Sequence, residues 1–119
     1  MTWVDTEIVA FELSTREGDF QTGERVEFEV LRSGRLSQPT IPELQRLWND
    51  LPEGEQARCH DPRIGFEVHR EAALVLRAAL CFDCSNISTR SPDGDDWRVF
   101  DPSSTQAQAL LELLVSALP

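Results

Sequence analysis

No apolar run in this chain of 119 residues reaches the length of a secretory h-region or a membrane span, and the start, "MTWVDTEIVAFELSTREGD", carries no basic cluster. Secretion and membrane insertion are therefore not expected, and a cytoplasmic location is. Cysteine is scarce and odd in number, three in all. A disulfide framework pairs its cysteines, so reduced thiols are the expected state. Basic residues are also in short supply: 11 Lys and Arg stand against 21 Asp and Glu, a net charge of −10. A field of that sign repels phosphate backbones and anionic lipid, which argues against nucleic-acid and membrane partners and for a basic protein partner. Solubility alone is the simpler use of such a charge.

Repeats, low-complexity tracts and interdomain linkers are missing too, which leaves one domain over residues 1–119. So are the P-loop, G-x-G-x-x-G, G-x-S-x-G and H-E-x-x-H patterns. "DGDD" (Asp93, Asp95, Asp96) lacks the spaced ligands of a calcium loop. Glu27 and Glu29 suit the solvent face of a strand better than a catalytic pair, and His69 beside Glu67 suits a polar strand face. No catalytic residue emerges, and no enzymatic activity is expected.

What is present is a run of secondary-structure patterns. Ile8 to Leu13 suits a strand, with Val9, Phe11 and Leu13 alternating. In "RVEFEVL", Val26, Phe28 and Val30 face one way and Glu27 and Glu29 the other, so the two runs form a hairpin that ends where "RSGR" breaks the chain. "TIPELQRLWNDL" predicts a helix with a capping box of Thr40 and Glu43, Pro42 in its first turn, and Leu44, Leu47, Trp48 and Leu51 on one face. "PEGEQ" follows as an exposed acidic loop.

A second hairpin is predicted over residues 64–70 and 74–82, turning around Glu71, Ala72 and Ala73. Its two apolar rows share one face only if Val68 pairs with Leu76, Phe66 with Ala78 and Ile64 with Leu80, with Phe66 and Leu76 buried. A bulge at the turn would shift that register. "SPDGDD" marks a turn between "NIST" and "WRVF", and a last helix begins at a capping box of Ser103 and Gln106 and buries Ala107, Leu110, Leu111, Leu114 and Leu118. The expected fold is α+β: an antiparallel sheet built of hairpins, with one mid-chain helix and a C-terminal helix packed on one face.

All the cysteines lie near the open end of the second hairpin, in "RCHDPRIGF" and "LCFDC". Extending the register past Leu80 sets His60 opposite Cys84 and Cys59 beside Ser85, with the Cys59 side chain turned away from His60. On that geometry Cys59→Ser leaves folding nearly intact. Cys59, His60, Cys81 and Cys84 make a legitimate zinc ligand set, and "CFDC" has knuckle spacing. Against zinc, neighbours on an extended chain face apart unless Pro62 bends it, and "RCHD" is half a motif. Against a thioredoxin-like role, "CFDC" follows a strand rather than opening a helix, and it carries an acid. The favoured reading packs the cysteines as small hydrophobes, or in an occasional disulfide, with no cofactor; zinc is the alternative. The pattern carried by Cys59, His60, Pro62, Arg63, Gly65, Cys81, Phe82 and Cys84 resembles one in small bacterial proteins of unassigned function. That resemblance implies a shared hairpin, not a shared chemistry.

The functional expectation is an acidic inhibitor, such as an immunity-type protein neutralising a basic bacterial toxin or effector domain. Tryptophans beside acidic loops supply the anchors of such a site: Trp48, Glu53, Glu55, Asp93, Asp95, Asp96 and Trp97. A zinc-stabilised small domain is the alternative.

Overall fold

Alternation of apolar and polar residues on either side of Glu71 builds the centre of the molecule. The computed structural model describes residues 2–15, 28–55 and 59–119. In it β3 (Ile64–Arg70) and β4 (Ala73–Cys81) pair antiparallel, with Val68 opposite Leu76, Phe66 opposite Ala78 and Ile64 opposite Leu80. The register is the one that puts both apolar rows on a single face. It slips between Val68 and His69, so the bulge sits just before the turn. Phe66 is fully buried, while Leu76 is half-buried against the same core.

The remaining strands extend this pair. β1 (Glu7–Thr15), β2 (Phe28–Arg35), β5 (Asn86–Ser91) and β6 (Gly94–Val99) complete a six-stranded antiparallel sheet among the described residues, ordered β2-β1-β3-β4-β5-β6. α1 (Ile41–Asp50) and α2 (Thr105–Ser116) pack on one face of it. Ile8, Ala10, Ile64, Phe66, Ala78, Leu80 and Ile87 meet Leu44 and Leu47 of α1 and Ala107, Leu110 and Leu114 of α2. The α+β architecture expected from the hairpins and two helices is the one observed.

Several local expectations are corrected. β2 runs through "RSGR" to Arg35, because it is an edge strand whose outer side needs no ladder partner. Its Val30 is exposed rather than inward-facing, as is the neighbouring Leu31; Val26 and Glu27 lie outside the described residues. β1 is buried on both faces: Ile8 and Ala10 join the helix-side core, whereas Phe11 and Leu13 cluster with Ala79 on the other side. The Phe11 ring lies on Gly65, where an added Cβ would come within 2.6 Å of the ring and 2.4 Å of the Ala78 carbonyl oxygen. Trp3 is buried too, although no periodic pattern marks it.

The helix caps differ in detail: Thr40 is the N-cap of α1 as expected but forms no capping box, and the α2 cap lies one residue later. A 3-10 turn (Gln38–Thr40) leads into α1, so Thr40 already has helical dihedrals and makes no side-chain cap. Its hydroxyl donates to the Ser37 carbonyl (2.7 Å), and Glu43 pairs with Arg46 instead. At α2 the cap is Ser104, whose Oγ accepts the Ala107 amide at 3.1 Å. Ser103 instead donates through its amide and hydroxyl to Asp101.

Candidate functional site

Strand pairing transmits rows of side chains across the open face, away from the helices. One row is ionic: Glu67, Arg77, Arg90 and Asp95 stand in register, with Arg77 donating to Glu67 (2.6 Å) and Arg90 to Asp95 (3.0 Å). Burial works to raise the Glu67 pKa, but hydrogen bonds from His69 and Arg77 outweigh it and hold the carboxyl below its ordinary range. The next row reads Phe11, Gly65, Ala79, Ser88 and Trp97. Small residues separate two aromatic ends, and Trp97 at the β6 edge is 61% exposed.

The segment before β3 turns across this face and fills the space beside Trp97. Asn86 donates its amide to the Cys59 carbonyl (2.5 Å), which can only accept. Its side-chain oxygen therefore faces His60 Nδ1, at 2.6 Å, and Nδ1 must carry the proton. Nε2 is then an acceptor, and the Ser88 hydroxyl donates to it at 3.1 Å. The imidazole is 6% exposed and meets the Trp97 ring edge-on, with centroids 4.7 Å apart. Burial lowers the His60 pKa against the opposing pull of the Asn86 hydrogen bond and the Asp61 charge. Trp97 is thus held from beneath by a neutral, tautomer-defined histidine.

The cysteines take a different arrangement from the one the extended register implies. Cys59 and Cys84 form a disulfide, with Cα atoms 5.6 Å apart, and Cys81 is a free, buried thiol. The expected three reduced thiols and outward-pointing Cys59 are both overturned. β4 ends at Cys81, residues 82–85 turn with Ser85 in the left-handed region (φ 59°), and β3 begins only at Ile64. Straight extrapolation of the ladder therefore fails beyond Ile64 and Leu80, and His60 meets Asn86 and Ser88 rather than Cys84. No group of three or more His, Cys, Asp and Glu is arranged to hold a metal among the described residues.

The proposed partner-binding residues are divided by the fold. Asp93, Asp95, Asp96 and Trp97 share the β5–β6 hairpin, and the Trp97 amide donates to Asp96 Oδ1 at 2.8 Å. Glu53 and Glu55 are exposed on the loop after α1, which runs beside the other end of β6, away from that hairpin's turn: the Asp101 amide donates to the Pro52 carbonyl and Arg98 to that of Leu51. Trp48 lies on the opposite, helix-bearing face. It packs against Phe66 (5.3 Å) and Trp3 (6.3 Å), under the Arg98 guanidinium at 4.9 Å. Helical spacing marked it as core, and its acidic neighbours in sequence drew it into the site. Missed by sequence reasoning were His60, Asn86 and Ser88 as the support of Trp97, since their contacts need the strand pairing to be known. Comparison with family models, curated proteins and solved structures returns no match for this chain.

Proposed function

We propose that this chain is a small cytoplasmic binding protein of the inhibitor kind, which docks a basic protein partner at the β6 edge and carries out no catalysis. The observation that carries the reading is Trp97: a large aromatic ring, 61% exposed, backed by the His60 relay and flanked on its own hairpin by Asp93, Asp95 and Asp96. A rigid aromatic anchor inside a charged rim gives both binding energy and steering toward a partner of opposite sign. The net charge of −10 extends that steering beyond the contact itself. An immunity-type role, with a basic toxin or effector domain as the partner, is the form this reading takes in a bacterium.

The test is to identify proteins retained from source cells by the wild-type chain, and then to measure the affinity of the purified partner for wild type and for Trp97→Ala. The expected partner is rich in Lys and Arg. Its affinity falls at least tenfold between about 0.05 and 0.5 M salt, and Trp97→Ala weakens it by about 2 kcal/mol or more. A partner whose affinity is indifferent both to salt and to Trp97→Ala would exclude this function.

A further inference from the structure

We infer that opening the Cys59–Cys84 disulfide converts this corner into a three-thiolate site for a soft divalent cation, zinc above all, formed by Cys59, Cys81 and Cys84. The inference stands independently of the Trp97 surface. Two of the donors lie on one turn. Cys81 ends β4, residues 82–85 turn, and the Cys84 amide donates back to the Cys81 sulfur at 3.1 Å. Ser85 then takes a left-handed conformation that redirects the chain into β5. A C-x-x-C turn with this spacing, its second amide closed onto the first sulfur, is the kind of segment that supplies two thiolates to one metal. The third donor is already in place, because Cys59 is bonded to Cys84 across the gap.

A second, independent feature is the polarity around Cys81. Its sulfur also accepts the Asp61 amide at 3.4 Å, so two backbone N–H groups point at one buried, unpaired thiol. A cysteine packed only as a hydrophobe needs no such donors. A thiolate bound to a cation does, since amides aimed at the sulfur offset its negative charge and orient it. Thiolate donors select zinc over the hard cations magnesium and calcium. His60 is not the fourth ligand, because Asn86 and Ser88 hold its two nitrogens; water completes the tetrahedron.

The chemistry balances with an external dithiol reductant of the thioredoxin class. The dithiol supplies two electrons and two protons and leaves as its own disulfide, while the Cys59–Cys84 bond is cleaved to two thiols. Zinc then displaces the three thiol protons to solvent. Cys59 is exposed and offers the reductant a point of entry. A reducing compartment therefore favours the metal-bound state and an oxidising one the disulfide.

The test is cobalt and zinc titration of the whole chain, oxidised and after reduction, with far-UV circular dichroism recorded throughout. The reduced protein is expected to bind about one equivalent, with the thiolate-to-cobalt absorption of a tetrahedral site and an intact sheet signal; the oxidised protein binds less than a tenth of that. Cys81→Ser keeps the disulfide and the fold when oxidised, and after reduction binds at least about tenfold more weakly, since loss of a ligand costs no less than loss of an outer-shell partner. Failure of the reduced wild type to bind, binding only by chain that has lost its sheet signal, or equal binding by Cys81→Ser would each overturn the site.

Discussion

His60 shows how a single side chain couples its surroundings to pH. Its folded pKa lies below the ordinary value, mainly because burial disfavours the imidazolium. The unfolded chain therefore binds more protons between the two pKa values. The resulting stability is fully present above about pH 6.5 and is lost as pH falls below it toward the folded pKa. Melting curves of wild type and His60→Gln between pH 8 and about pH 5 should show a smaller acid-side loss in the variant; parallel losses would mean that His60 does not contribute. Phe66 is the other decisive residue. It is fully buried, with its ring edge-on to Trp3 at 5.8 Å and to Trp48 at 5.3 Å. Phe66→Ala should cost about 3–5 kcal/mol by denaturant titration.

At the scale of elements, the β3–β4 register at Ile64, Phe66 and Val68 was readable because a one-residue slip would send every apolar side chain to the wrong face. The strand bounds fell one residue off, with Ala73 in β4 and Phe82 outside it. What alternation does not reveal is the dihedral demand of the turn. Glu71 (φ 51°) and Ala72 (φ 66°) both adopt the left-handed region, which suits Asn and Gly far better. The double change Glu71→Asn and Ala72→Gly should therefore stabilise the protein by about 1 kcal/mol, visible as a higher denaturation midpoint without a change in slope. The α2 cap was misplaced by one residue because adjacent hydroxyls, Ser103 and Ser104, offer equivalent caps in sequence. "RSGR" looked like a break because glycine between arginines is turn-like, and only its place at the sheet edge makes it tolerable as strand.

At the scale of the whole molecule, the Cys59–Cys84 bond ties the start of β3 to the β4–β5 turn across 25 residues of sequence. Closing a loop of that size removes chain entropy worth about 3 kcal/mol from the unfolded state. Cys59→Ser, or reduction with chelator present, should lower stability by about that amount in urea titration, against the nearly intact folding expected from an outward-pointing thiol. Unchanged midpoints would show that the tether contributes nothing in solution.

The amino-acid order alone determined the fold class, the two helices and the β3–β4 register, since each rests on a local period that tertiary packing only has to accept. It marked a turn between β5 and β6, but the strands run into that stretch, through Ser91 and from Gly94. It also carried the acidic charge and the position of Trp97. The tertiary structure decided what periodicity does not reach. Trp48 went to the helix face and Trp97 to the open one, because α1 packs against one side of the sheet only. Cys59 met Cys84, and His60 met Asn86 and Ser88, because the chain leaves extended geometry on both sides of the hairpin, before Ile64 and after Cys81. Contacts between two irregular segments depend on where the sheet places their ends, and no residue spacing encodes that.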